Sequence, residues 1–339
     1  MKAGVVHAKE DLRYEDIEKP VPKEGEVLVK VKYTGICGSD IPRVNWDACH
    51  FFPNILGHEF SGVVEETGAG VTRVKPGDRV AGVPLVPCMK CADCQKGDYS
   101  LCRHYSFIGS RQFGSFAQYV VVPELNAVKF AEEVSFEQAA LFEPATVALH
   151  GLERTGYKGG HTVAILGTGP IGMLPMQWAK IFGASKVVVF DFVDEKLELA
   201  KELGADIVID SREKDAVEEI MKISEGRGVD KVFDTSGAPI CIQQTAYIAR
   251  RGGTVILVGI STKSEISYSF AQIMDKELTI KSVFRYRNIF PKAIAAVAKG
   301  AIDVKQIVTH EIDFDHINDA YQECVTNKTD LVKAVIKVR

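Results

Sequence analysis

Val163-Ala164-Ile165-Leu166-Gly167-Thr168-Gly169-Pro170-Ile171-Gly172 sets an unbroken apolar run directly against a glycine-rich turn. A short apolar run bounded by turn signals reads as a strand buried on both faces. Helical spacing follows, up to about Gly183. A G-x-G-x-x-G pattern alone carries little weight, but between a buried strand and a helix it is the dinucleotide-binding fingerprint. Gly167 permits the tight turn, Gly169 lets the backbone approach a pyrophosphate, and Gly172 lets the helix pack close on the strand. The pyrophosphate would sit on N–H groups at the positive helix end, where Pro170 and Ile171 open the helix. Pro170 has no N–H to lose there. Pro175 fits less well, because it deletes a helical hydrogen bond unless the first turn is irregular.

The same pattern extends outward. Lys186–Asp191 is a second apolar strand, followed by a helix over Glu195–Leu203 and strands at Ile207–Ile209, Asp230–Asp234, Thr254–Val258 and Leu278–Val283. Alternating buried strands and helices predict a parallel sheet covered on both faces. Asp191 closes the second strand, where its carboxylate would accept from both ribose hydroxyls of NAD and repel a 2′-phosphate. Phe192 and Val193 offer no Arg to hold that phosphate, so NAD is expected over NADP. The plainer reading of Asp191, a cap for the following helix, stays open. Beyond about Phe284 come a helix over Pro291–Lys299 and final strands.

Upstream, residues 1–147 read as short strands. Glu26–Lys32 alternates with period two, and Lys75-Pro76-Gly77-Asp78 turns into a strand at Arg79-Val80. Gly62, Gly68 and Gly70 interrupt an apolar stretch, which suits a bent barrel strand. The expected class is α/β with a β-barrel lobe.

Composition sets outer bounds. The chain has 339 residues, 46% apolar and 25% charged, which excludes disorder or a fibrous fold. With 41 Lys and Arg against 45 Asp and Glu, the net charge of −4 argues against nucleic acid or anionic lipid as the partner. No apolar run approaches the roughly 20 residues of a membrane helix, and residues 1–12 turn charged too early for a signal peptide. A cytoplasmic protein is expected.

Four of the eight cysteines crowd into C-x2-C-x2-C-x7-C: Cys88, Cys91, Cys94 and Cys102. Thiolates so spaced can converge on one tetrahedral zinc. Disulfides fit a chain of this kind less well, and an iron–sulfur cluster is the minor alternative. Cys49, Cys241 and Cys324 stand alone and read as small buried hydrophobes. Cys37, His58 with Glu59, and Glu143 have bland readings one by one. Together they would supply three protein ligands and an open position, which is how catalytic zinc is held.

Gly57-His58-Glu59-x-x-Gly62-x5-Gly68-x-x-Val71 resembles the zinc signature of the medium-chain alcohol dehydrogenases. Cys37-Gly38-Ser39-Asp40, the four-cysteine lobe and the later glycine loop resemble that family in the same order, over essentially the whole chain. The resemblance implies a GroES-like catalytic domain from residues 1–147 and 285–339, carrying a structural-zinc lobe at about 84–104. A Rossmann domain, doubly wound on its parallel sheet, would span 148–284, with hydride transfer in a cleft between the two. It also implies one catalytic and one structural zinc per chain, NAD, and a homodimer or homotetramer. Cys37, His58 and either Glu59 or Glu143 would bind the catalytic zinc, and hydride would pass from a zinc-bound alkoxide to the nicotinamide. Ser39 would relay the proton, although Pro42-Arg43 stands where many relatives carry a histidine. Asp40 would orient His58 and tie to Lys333. Thr146, Gly259 and Phe284 would lie along the cofactor.

Two branches of the family match. Cys37–Arg43, His50–Pro53 and Phe107–Arg111 look like galactitol-1-phosphate dehydrogenase. Val283–Asn288 looks like sorbitol and xylitol dehydrogenases, whose matching Arg and Tyr line the polyol pocket. Arg285 and Tyr286 are therefore candidates for polyol hydroxyls. Arg43 and Arg111 would suit a phosphate, because guanidinium forks match it bidentately. Trp46, Phe113 and Phe116 could wall the pocket or fill the core. The expected reaction is oxidation of a secondary hydroxyl of a sugar alcohol, free or phosphorylated, to a ketose. The alternatives are a threonine or simple-alcohol dehydrogenase and, more remotely, a silent NAD-binding relative.

Overall fold

The alternation at Glu26–Lys32 becomes a ten-residue strand, Glu26–Gly35, around which the first compact unit is organised. A computed structural model describes residues 1–46, 48–327 and 329–339. One edge of this strand pairs antiparallel with Glu59–Thr67 along its length. Its other edge is shared, residues 26–30 pairing with Tyr119–Pro123 and residues 33–35 with the last strand, Lys333–Lys337. Val27, Val29 and Val31 are at most 1% exposed, and each contributes roughly 1.5–3 kcal/mol relative to exposure. Leu28, on the opposite face, is buried as well. Both faces of the strand's first half are therefore covered, where simple alternation foresaw one.

This unit comprises Met1–Glu143, Phe290–Lys299 and Val308–Arg339. Its main sheet has the order Ala127–Lys129, Arg79–Gly82, Glu59–Thr67, Glu26–Gly35, Lys333–Lys337, Val308–Asp313. That order has two ends, so among the described residues the pairing is an open path, not a closed ring. Period-two patterning fixes which face of a strand is apolar and leaves closure undetermined. Phe60, Phe116 and Ile108 fill the core beside it. Phe116 is thus core, while Trp46 and Phe113 are more than half exposed.

The second unit, Pro144–Ile289 with Gly300–Ile307, carries six parallel strands. Their order is Ile207–Asp210, Lys186–Asp191, Thr162–Leu166, Val229–Asp234, Ala249–Leu257, Thr279–Ser282. Val163–Leu166 and Val187–Phe190 are at most 2% exposed, as a sheet covered on both faces requires. The strand order reverses between Thr162–Leu166 and Val229–Asp234, and ligands of such sheets bind at that switch point. The helix Pro170–Ile181 runs unbroken through Pro175. The proline costs only the partner of the Ile171 carbonyl, and the helix continues past it. No helix among the described residues is long and apolar enough to cross a membrane.

Candidate active site

Strand pairing builds the first cluster. Gly35 and Glu59 are register partners, so Cys37, two residues past one, meets His58, one residue before the other. A ligand atom from each of Cys37, His58 and Glu59 lies within 4.8 Å of the others. Thiolate, imidazole and carboxylate at that spacing suit a single zinc with one position open. Glu143, the other carboxylate candidate, is buried in the first turn of the helix Phe142–Arg154 and is not part of this trio.

Asp40 sets the orientation of His58. Its Oδ1 lies 3.4 Å from His58 Nδ1, leaving Nε2 as the ligating nitrogen. Phe107 packs edge-on against the imidazole, with ring centroids 5.5 Å apart. Burial works against a charged His58, but the Asp40 carboxylate and Cys37 outweigh it and hold its pKa well above the usual histidine value. Burial likewise opposes ionisation of Asp40, yet His58 and Arg43 keep its pKa below the ordinary range. A carboxylate behind a ligand histidine fixes its tautomer and raises its basicity.

Lys333 does not bind Asp40, contrary to expectation. Its Nζ closes on Glu59 Oε2 and donates to the Ile36 carbonyl at 2.8 Å. The last strand delivers it there by pairing beside Gly35. A Cβ at Gly35 would collide with Glu59 Oε2 and press on Lys333 Cε, so only glycine admits this pair.

Arg43 turns back onto its own loop. Its Nη1 donates to the Ser39 carbonyl and, at 3.0 Å, to Ser39 Oγ, and it lies 3.6 Å from Asp40 Oδ1. Ser39 Oγ in turn donates to Cys37 Sγ at 3.4 Å. Arg111 is exposed and stacks 4.2 Å over the Tyr105 ring.

The four-cysteine lobe forms a second donor set. Cys88, Cys91, Cys94 and Cys102 offer sulfurs within 4.8 Å of one another, with Cys91 Sγ 3.5 Å from Cys94 Sγ and 3.9 Å from Cys102 Sγ. Zn–S bonds of about 2.3 Å imply tetrahedral edges of roughly 3.8 Å. A disulfide needs sulfurs about 2.05 Å apart, and all four thiols are free. The Cys94 amide pulls the Cys91 thiol down to about 6, while burial pushes the Cys94 thiol up to about 12. Cys49, Cys241 and Cys324 are half-buried and pack against the two cores.

In the nucleotide unit, Gly167 adopts φ +100°, and a Cβ on Gly172 would run into the Gly167 carbonyl. Gly169 caps the helix that Pro170 opens. Gly259 follows the strand Ala249–Leu257, its amide donating to the Asp234 carbonyl at 3.1 Å. Thr146 is fully buried, Phe284 is exposed with Arg285 stacked 4.2 Å over its ring, and Tyr286 is buried.

Asp191 is already well held. Its Oδ2 accepts from the Thr168 amide and hydroxyl, each at 2.7 Å, and its Oδ1 from the amides of Phe192 and Val193. It thus braces the glycine loop from the end of the second strand. Arg212, just past the end of the neighbouring strand, reaches Asp194 at the start of the helix that follows Asp191, which the sequence around Phe192 did not reveal.

These geometries fit what the chain is similar to. Residues 23–132 match the alcohol dehydrogenase GroES-like domain, and residues 170–299 match zinc-binding dehydrogenases. The chain is 36% identical to sorbitol dehydrogenase of Bacillus subtilis, covering 99% of this chain and 97% of that one. The structure of galactitol-1-phosphate dehydrogenase from Escherichia coli superposes with a TM-score of 0.93 at 32% identity, over 99% of this chain and 100% of that one. That of 2R,3R-butanediol dehydrogenase from Bacillus subtilis gives 0.90 at 33% identity, over 99% of both. The chain belongs to the zinc-dependent medium-chain alcohol dehydrogenase family, in the branch related to sorbitol and galactitol-phosphate dehydrogenases.

Proposed function

We propose that the protein is a zinc- and NAD-dependent dehydrogenase that oxidises a secondary hydroxyl of a sugar alcohol to the ketose. The observation that carries this is the convergence of Cys37, His58 and Glu59 on a chain that also holds a dinucleotide loop. When bound, zinc supplies Lewis acidity that favours deprotonation of an alcohol, and NAD accepts the hydride. The chain's own residues supply the rest. Asp40 orients His58, Lys333 fixes Glu59, and Arg43 holds Ser39 beside Cys37, where the hydroxyl can take up or give a proton.

The pairing of Asp191 with the glycine loop supports NAD over NADP, the phosphate-repelling carboxylate being firmly placed. Cys88, Cys91, Cys94 and Cys102 would hold a second, structural zinc. Galactitol-1-phosphate dehydrogenase among the relatives keeps a phosphorylated polyol in view. The engagement of Arg43 within its own loop favours a free polyol, because Nη1 of that guanidinium is already held by Ser39 and Asp40. Arg285 and Tyr286 are then the residues for polyol hydroxyls. Homodimer or homotetramer assembly and a cytoplasmic setting complete the proposal, on the family resemblance.

Cys37→Ser and His58→Ala test it. Each should abolish NAD reduction by sorbitol while leaving 5′-AMP binding intact. Retained turnover in either variant would overturn the zinc reading.

A further inference from the structure

The ribose corner of the nucleotide unit holds a charge cluster with no part in the reaction above. Parallel pairing sets Asp191 beside Asp210 at the ends of adjacent strands, and the Ser211 amide donates to the Asp191 carbonyl at 2.8 Å. Arg212 follows immediately. Its Nε lies 2.9 Å from both carboxylate oxygens of Asp210, and its Nη2 lies 2.6 Å from Oδ2. The same Nη2 donates to Asp194 Oδ1 at 2.5 Å. Asp194 is the first residue of the helix that begins just past Asp191. One guanidinium is thus shared between two carboxylates, one of them on the strand end paired with Asp191.

Exposed ion pairs add little to stability, and both Arg212 and Asp194 are more than half exposed. The consequence of the cluster is electrostatic. An adenine ribose bearing a 2′-phosphate needs a cation at this corner, and an arginine fork matches it bidentately. Arg212 is the right residue type in the right place, but its fork faces Asp210 and its charge is more than cancelled. We propose that Asp194 and Asp210 withhold Arg212 from a 2′-phosphate, and so act with Asp191 to select NAD. This rests on the NAD reading above and deepens it. Its corollary is that removing Asp191 alone loses ribose hydrogen bonds without making the corner hospitable to phosphate.

Calorimetric titration of the full chain with 5′-AMP and with adenosine 2′,5′-bisphosphate tests this without turnover. The wild-type chain should bind 5′-AMP and discriminate against the bisphosphate. Asp194→Asn, a change at an exposed helix start, should narrow that discrimination about 3–10-fold by removing one like charge. Asp191→Ser combined with Asp194→Asn and Asp210→Asn should bind the bisphosphate at least about tenfold more tightly than Asp191→Ser alone. Adding Arg212→Gln should erase that gain. An unchanged ratio in Asp194→Asn, full conversion by Asp191→Ser alone, or a gain that survives Arg212→Gln would overturn the proposal. A wild-type chain with no affinity for 5′-AMP would overturn the NAD reading itself, and this inference with it.

Discussion

Lys333 and Glu59 form an ion pair in the interior, Nζ against Oε2, with neither side chain more than 3% exposed. Most of the chain separates them in sequence, and the pairing of the last strand beside Gly35 brings them together. Burying two charges is costly, and their attraction repays it only while both are present. In the zinc-free chain, Lys333→Met should therefore destabilise the protein by about 3–5 kcal/mol in urea unfolding. Adding Glu59→Gln should recover a large part of that loss. A single-variant loss below about 1 kcal/mol would mean water reaches Glu59.

Arg43 donates through its Nη1 to Ser39 Oγ at 3.0 Å, a contact that suits a positioning role. Arg43→Gln should lower kcat about tenfold or more and leave KM for a polyol nearly unchanged. A rise in KM with kcat intact would return Arg43 to the substrate.

His150 gives the nucleotide unit a pH dependence. Burial, reinforced by Arg287 and Arg154, lowers its pKa from 6.5 to about 4. Between those values the unfolded chain takes up a proton that the folded chain refuses, so stability falls as the pH drops through this window. The loss should reach about 1–3 kcal/mol, allowing for solvent screening, and level off below about pH 4. His150→Gln should flatten this component of a stability–pH curve. An unaltered curve would show that other groups carry it.

Much of this organisation is legible in the sequence, and the parts that are not share a cause. Cys37, His58 and the glycine loop each lie in a short recognisable motif, although it is strand pairing that brings Cys37 to His58. The parallel sheet follows because strands buried on both faces must be apolar throughout, as Val163–Leu166 is. Lys333 was expected on Asp40 because a motif shows a charge and hides its partner; only strand order assigns it to Glu59. Arg212 escaped notice for the same reason, since the strand ending at Asp210 pairs beside the one ending at Asp191 and so carries Arg212 to Asp194. The expected barrel met a similar limit, because alternation at Glu26–Lys32 defines faces and leaves the sheet edges open.

The cysteine lobe yields a stoichiometric prediction. Metal analysis of the purified chain should give about two zinc ions per protomer. Cys102→Ser should reduce this to about one and expose residues 88–102 to protease. Loss of both ions together, or none, would contradict two independent donor sets.

NAD reduction at alkaline pH is the most direct test of the central claim. The panel is sorbitol, xylitol, galactitol, galactitol 1-phosphate, threonine and a short secondary alcohol. The account predicts the highest kcat/KM on a free polyol, with a Arg285→Ala variant losing activity through KM. Strong preference for the phosphate would reassign Arg43 and Arg111 to substrate binding. No turnover on any polyol or polyol phosphate, with both zinc ions bound, would contradict the account.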